Sequence, residues 1–347
     1  MNIEKITLNE ERNVTLTAFI QEVGGDYPHI TRRPSVLILP GGAYQSCADK
    51  EAEPVAFPYL EAGYQAFILR YSLKENAAWP NPLKDYEAAI TLIRKNAEKW
   101  HLFEDKIAVI GFSAGGHLAS AAATMSENRP NAAILGYAGT LDDMKALNST
   151  HPNTAEAVDY KTCPCFLFAT CNDNIVPVRN TILFTERLAR YGVSFESHIY
   201  AYGPHGFSVC TSGVQDDGTP ICSRVSNWVQ DSICWLKDVF GDFSVNGMTE
   251  PVIKGLINGN NAPYLSADCT MAVLNSSQEA QKLVGELMAK LMSGAQLMEA
   301  PESMGDVSAL VANMTLRDCL GFSQVPQEIV DGIDAELRKL PNPLTEI

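Results

Sequence analysis

The chain has 347 residues, 46% hydrophobic and 19% charged, a composition that packs into globular structure, here one large domain plus a smaller one. Its formal net charge of -15, with no basic stripe, excludes a nucleic-acid partner, whose phosphates call for clustered Lys and Arg. No window approaches the roughly 18 apolar residues of a membrane span, and the acid-bearing start MNIEKITLNEERNVTLTAF does not read as a signal peptide, so a cytoplasmic protein without a membrane partner is expected.

In chain order, SVLILP (35–40) is a short apolar run that ends in Gly41-Gly42, and YQAFILRY (64–71) is another. After the loop AWPNP, the segment LKDYEAAITLIRKNAEKW (83–100) repeats Leu83, Tyr86, Ala89, Ile90 and Ile93 at helical spacing. KIAVIGF (106–112) reads as a strand, AGGHLASAAATM (114–125) as a helix, AAILGYA (132–138) as a strand and PCFLFAT (164–170) as a strand. The helix VRNTILFTERLARYG (178–192), with Gly192 as its C-cap, the strand SFESHIYA (194–201) and the helix VSNWVQDSICWLKDVF (225–240) complete the series. Fully apolar strands alternating with helices imply a mostly parallel sheet covered on both faces, an α/β fold.

Near Gly241–Pro251 the pattern changes. The remaining ~100 residues lack apolar strands and read as short helices broken by Gly, Asn and Pro. SQEAQKLVGELMAKLM and PQEIVDGIDAELRKL are amphipathic, the latter through Ile329, Ile333 and Leu337. The expected organisation is a catalytic domain over 1–243 and an all-helical module over 250–347, the module being a packing or dimerisation appendage that leaves a homo-oligomer open. Nine cysteines are present, and without paired CxxC motifs they read as buried free thiols rather than zinc ligands. A Cys210–Cys222 disulfide is the alternative that an extracellular setting would allow.

The chemistry centres on Gly111-Phe112-Ser113-Ala114-Gly115, a G-x-S-x-G that leaves an apolar strand and opens a helix. That context lifts a serine onto a sharp turn where small neighbours allow close approach. A serine hydroxyl is a weak nucleophile until a base, an orienting acid and oxyanion donors surround it. The loop ILPGGAY supplies flexible backbone for those donors, with Gly42 or Ala43 joining Ala114. The acid and then the histidine should follow. FLFATCNDNIVPV places Asp173 in the loop after a strand, whereas Asp142, Asp143 and Asp159 follow no comparable strand. Asn172 is expected to hold that loop's shape. Of six histidines, only His205, in the loop of IYAYGPHGFS, has both the order and the loop setting. His117 lies in the helix after the serine, His198 in a strand, His101 near a helix end, and His29 and His151 precede Asp173.

PGGAY, GFSAGGHLA, DNIVP and GPHGF, in this order, resemble the α/β-hydrolase fold, specifically its esterase and carbohydrate-acetylesterase branch associated with xylanases, over about residues 15–240. The resemblance implies a Ser113–His205–Asp173 triad with oxyanion donors at Gly42, Ala43 and Ala114. That branch usually has a third glycine where Ala43 stands and often His where Pro40 stands; the alanine still carries an N–H, and the hole survives if its φ is not positive. NMTLRDCLGF and VPQEIVDGIDAELRKL are similar to a helical segment at the C-terminus of some bacterial carbohydrate-active hydrolases. The expected reaction is hydrolysis of short-chain, above all acetyl, esters of sugars or xylo-oligosaccharides, with Tyr44 lining the substrate pocket and no metal or organic cofactor. Two other readings share parts of the pattern. A prolyl oligopeptidase-type peptidase has the same triad order, but only about 35 residues precede the first core strand here; a silent hydrolase fold that binds carbohydrate would not need all three triad residue types.

Overall fold

Eight strands form one sheet in the order β1-β2-β4-β3-β5-β6-β7-β8. They are β1 (Asn2–Asn9), β2 (Val14–Ile20), β3 (Arg33–Leu39), β4 (Gln65–Arg70), β5 (Leu102–Phe112), β6 (Ala132–Gly136), β7 (Cys165–Thr170) and β8 (Phe195–Tyr200). The computed structural model describes residues 1–147, 149–215, 220–294 and 308–344. From β4 to β8 every pairing is parallel, while β1 pairs with β2, and β2 with β4, antiparallel. The central strands are the apolar runs of the sequence, and every residue of β3, β6 and β7 is buried. Burial on both faces is what a strand without polar alternation requires.

The helices of this unit are α1 (Glu53–Glu61), α2 (Asn81–Lys95), α3 (Ala114–Thr124), α4 (Arg179–Arg190) and α5 (Asn227–Phe240). One face of the sheet, through Val36, Ile38, Ile68, Ile110, Ile134, Phe166 and Phe168, packs against α1 and α5 through Val55, Tyr59, Trp228, Trp235 and Leu236. The alternate residues Leu37, Phe67, Leu69, Val109 and Leu135 point the other way and are equally buried. The tightest ring contact is Phe168 stacked on Trp228, with centroids 4.2 Å apart and planes 10° from parallel.

Three elements escape the sequence patterns, and one corrects the count of residues ahead of the core. Strand β2, with Val14, Leu16 and Ala18 fully buried, is a core strand well before SVLILP, hidden because threonines alternate with its apolar residues. In β1 no residue is buried, because this strand is the sheet edge and has little apolar face to betray it. Helix α1 contains Pro54 and Pro58, residues that read as helix breakers, yet its Val55, Ala56 and Tyr59 are buried in the core.

The chain divides into two compact units, Met1–Gly255 and Leu256–Ile347. The division falls beyond the compositional change near residue 243 because backbone bonds hold the intervening stretch to the first unit. A small hairpin of β9 (Phe243–Ser244) and β10 (Gly247–Met248) follows α5, Val252 and Ile253 donate to the Asp238 carbonyl, and Ser194 donates to that of Gly255. The second unit contains α6 (Met271–Leu274), α7 (Gln278–Gly294), α8 (Ser308–Asn313), α9 (Leu316–Phe322) and α10 (Gln327–Leu337). Its own core joins Leu265, Leu274, Val284, Leu316, Leu320 and Leu337, and a capping box of Thr315 and Asp318 starts α9. On α10 the expected stripe is rotated: Ile333 and Leu337 are buried, but Ile329 is 41% exposed and Val330 takes its place in the core. All nine cysteines carry free thiols, Cys210 and Cys222 included.

Candidate active site

Parallel strands all deliver their loops to one edge of the sheet, the carboxyl edge, where α/β sheets carry their ligand sites. Ser113 directly follows β5, Asp173 follows β7 and His205 follows β8, so the three candidates emerge at that edge. Ser113 has φ +53° and ψ -117°, a conformation L-residues adopt only under strain, as the sharp strand-to-helix turn demands. The turn closes because its flanks are glycines. A Cβ on Gly111 would stand 2.1 Å from the Gly115 carbonyl oxygen, and one on Gly115 would stand 2.1 Å from that of Leu39.

The Ser113 hydroxyl lies 2.8 Å from His205 Nε2, and His205 Nδ1 lies 2.7 Å from Asp173 Oδ2. A carboxylate only accepts, so Nδ1 carries the proton and Nε2 is left with a lone pair facing the serine. The Asp173 side chain is fully buried while that of His205 retains 15% exposure, the division of labour expected of an orienting acid and a working base. Asp173 Oδ1 also accepts from the backbone amides of Ile175 and Val176, at 2.9 and 2.8 Å. Asn172 Oδ1 accepts from Gly203 N at 2.9 Å and Thr170 Oγ1 donates to the Gly203 carbonyl, which ties the entry of the histidine loop to β7.

The glycine loop adopts an unusual backbone. Gly42, Ala43 and Tyr44 have φ of +131°, +54° and +58°. The condition placed on Ala43 is not met, since an alanine occupies left-handed backbone where glycine would sit without strain. A positive φ costs strain but does not remove the N–H, so the condition was stricter than the hole requires of this alanine. Its N–H is not spent elsewhere: among the described residues the amides of Gly42 and Ala43 meet no protein acceptor. Ala114, the first residue of α3, has no intrahelical acceptor either.

Tyr44 corrects the expectation made for it. It does not line an open pocket but is 1% exposed, because two consecutive left-handed residues turn its ring inward. Its hydroxyl donates to His117 Nδ1 at 2.7 Å, and its ring packs on Tyr71 and His151. His117 Nε2 is 3.0 Å from the Pro152 carbonyl, which can only accept, so the imidazole is neutral with its proton on Nε2. Burial, opposed by the bond to the Pro152 carbonyl and aided by the neighbouring His151, brings its pKa down to about 4.

Sequence reasoning missed a buried polar chain beneath the site. Glu51, 3% exposed, accepts from Gly41 N at 2.8 Å and from the Tyr137 hydroxyl at 2.6 Å. Tyr137 also accepts from Ser208 N at 3.1 Å, and its ring stands edge-on to His205 at 5.0 Å. No periodicity marks Glu51; it lies among the charged residues of ADKEAEP and reads as surface. Tyr137 is concealed as one more apolar residue of AAILGYA. A cavity of about 90 Å³ adjoins His205, lined by Lys50, Pro204, Gly206, Phe207, Gln215 and Ile221. Among the described residues no cluster of three or more His, Cys, Asp or Glu could hold a metal ion. Among them, too, no helix is long and apolar enough to cross a membrane.

The BD-FAE family model matches residues 28–135. A solved α/β-hydrolase enzyme, MGS-M1 from a Medee basin deep-sea metagenome library, is 43% identical, with a TM-score of 0.65 over 69% of this chain and 98% of its own. The chain belongs to the α/β-hydrolase family. Its likenesses lie in the esterase and acetylxylan-esterase-like branch of that family. Endo-1,4-beta-xylanase B of Butyrivibrio fibrisolvens is 29% identical over 51% of this chain. The acetylxylan esterase of Xylanibacter ruminicola is 26% identical over 56% of this chain. The matched regions span 33% and 45% of the lengths of these two relatives.

Proposed function

We propose that this α/β hydrolase is a serine carboxylesterase that removes short acyl groups, above all acetyl, from sugars or xylo-oligosaccharides. The observation that carries the reading is the unbroken relay from Ser113 Oγ through His205 to buried Asp173, at 2.8 and 2.7 Å. In the first step His205 Nε2 takes the hydroxyl proton as Ser113 attacks the ester carbonyl. The tetrahedral oxyanion is met by the N–H of Ala114 together with Gly42 or Ala43, and the alcohol leaves with the proton that His205 returns. Water then repeats the cycle on the acyl-enzyme. Asp173 keeps the imidazole in the useful tautomer and stabilises its cation. No metal or organic cofactor enters these steps.

The sugar-ester preference rests on the relatives named acetylxylan esterase and xylanase. The test is acetate release from a panel of defined acetylated sugars and xylo-oligosaccharides, with Ser113→Ala as control and a proline-containing peptide as comparison. Acetate release that Ser113→Ala lowers by about 10³-fold or more is expected. Turnover of an aryl acetate with no release from any glycan would remove the carbohydrate preference. Cleavage of the peptide would favour a peptidase, and a fluorophosphonate that fails to label Ser113 would leave a silent binding protein.

A further inference from the structure

We propose that Glu51 is a positioning residue for this reaction, its buried carboxylate joining the loop of the oxyanion amides to the loop of His205 and setting a fixed negative charge behind the imidazole. The inference rests on the esterase reading of Ser113 and adds a residue to it. One peptide group precedes the Gly42–Ala43 amides, and both its polar ends are held. The Pro40 carbonyl accepts from the Tyr71 hydroxyl at 2.5 Å, and Gly41 N donates to Glu51 Oε2 at 2.8 Å. Gly41 N is thereby committed to the carboxylate. The Gly41 carbonyl, which shares its peptide plane with Gly42 N–H, accepts from Ala48 N at 2.9 Å, so both peptide planes leading to the oxyanion amides are held. The packing leaves no slack: a Cβ on Gly41 would meet Glu51 Oε2 and the Phe112 carbonyl at 2.7 Å each, and Ser113 Cβ at 3.0 Å.

The other oxygen serves the histidine loop. Glu51 Oε1 accepts from Tyr137, whose hydroxyl accepts in turn from Ser208 N, three residues after His205. Ser208 has φ +48° and is held at its carbonyl by Trp228 Nε1, at 2.9 Å, and at its hydroxyl, which donates to the Lys50 carbonyl. A carboxylate with two acceptor oxygens matches two donors, Gly41 N–H and Tyr137 O–H. A glutamine has one such oxygen, so it would satisfy one donor and face the other with N–H. Burying a carboxylate is costly, and a residue with only a packing role would not need the charge. Four neighbours set its electrostatics. Burial raises the Glu51 pKa, while the bonds from Tyr137 and Gly41 and the charges of His205 and Lys50 oppose that rise. His205 faces Asp173 and Ser113 through its nitrogens and Tyr137 through its ring, and Lys50 Nζ lies 3.8 Å from the place of a Cβ on the adjacent Gly206. As His205 becomes cationic in the transition state, Glu51 is the second negative charge beside Asp173 to attract it.

The experiment measures kcat and KM on an aryl acetate from about pH 5 to 9, for wild type, Glu51→Gln, Glu51→Asp and Tyr137→Phe, each normalised to sites titrated with a fluorophosphonate. Glu51→Gln is expected to lower kcat about 10–100-fold with little change in KM. It should also move the acid limb of kcat/KM to lower pH by about half a unit, since removing a negative charge disfavours the imidazolium. Glu51→Asp keeps the charge on a shorter stem, so it should lose kcat while the acid limb stays near wild type. Tyr137→Phe should lose about 5–10-fold in kcat by freeing the Ser208 amide. A Glu51→Gln enzyme with wild-type kcat per titrated site and an unmoved acid limb, changed only in melting temperature, overturns the inference. If that variant does not fold, Tyr137→Phe decides, and an unchanged kcat overturns it equally. A wild-type chain that neither hydrolyses ester nor takes the probe overturns the esterase reading together with the inference, whereas an active wild type with an indifferent Glu51→Gln overturns the inference alone.

Discussion

At Asp173, one carboxylate accepts from His205 and two backbone amides, so geometry and tautomer depend on the same side chain. Asp173→Asn keeps the shape but can offer N–H to Nδ1 and reverse the tautomer; kcat should fall about 10⁴-fold with the melting temperature little changed, as steady-state kinetics and thermal denaturation would show. Ala43 presents the opposite case, a residue whose backbone is strained at φ +54°. Ala43→Gly relieves a strain of about 1 kcal/mol and gives part of it back in unfolded-state entropy, so the variant should be neutral to slightly more stable in denaturant titration. A loss of more than about 1 kcal/mol would contradict the strain. His117 adds a pH dependence. Its folded pKa of about 4 lies below the 6.5 of the free side chain, so the unfolded chain binds the proton more readily. The stability this group contributes is complete above pH 6.5 and is lost as pH falls toward 4, by about 3 kcal/mol. His117→Gln should flatten the stability profile across that window.

At the scale of elements, α5 and the histidine loop form one packed assembly. Trp228 stacks on Phe168 of β7 and donates to the Ser208 carbonyl, so a helix far along the chain braces the loop that carries His205. Trp228→Phe preserves most of the stacking and removes the donor. It should cost about 1–2 kcal/mol and lower kcat by several fold, whereas Trp228→Ala opens the core and should cost about 3–5 kcal/mol. Parallel measurements of unfolding and turnover distinguish the two effects. Elements that carry the site were legible because their signals are steric. Gly111 and Gly115 cannot tolerate a Cβ, and buried strands cannot tolerate charge. Elements without such a constraint, the exposed edge strand β1, the threonine-bearing β2 and the proline-bearing α1, were not.

For the whole molecule, the division after Gly255 has a direct consequence. All the described site residues and the core that supports them lie in Met1–Gly255, and the second unit has a core of its own. A chain ended after Gly255 should fold and retain kcat/KM on an aryl acetate within about threefold, since burial and hydrogen bonding of the backbone at the cut, not position in sequence, decide tolerance. One ended near residue 245 cuts the β9–β10 hairpin and removes the bonds to Asp238 and Ser194, and should be less stable. Size-exclusion chromatography of full-length and shortened chains would show whether the helical unit contributes to assembly.

What the sequence determined by itself was the order of the chemistry: a glycine-flanked serine after a buried strand, then Asp173, then His205, with a Gly-Gly loop ahead of them. Those residues are legible because the sharp turn restricts its flanks to glycine and the proposed chemistry restricts the other positions to very few residue types. The tertiary structure decided what depends on direction and burial. It turned Tyr44 inward to His117, put Ala43 in left-handed backbone, exchanged Val330 for Ile329 in the helical core, and drew Glu51 from a charged run into the floor of the site. None of these could be read locally. Burial of a carboxylate depends on donors from Gly41 and Tyr137, which are distant in sequence and brought together only when β3 and β6 end at the same edge of the sheet.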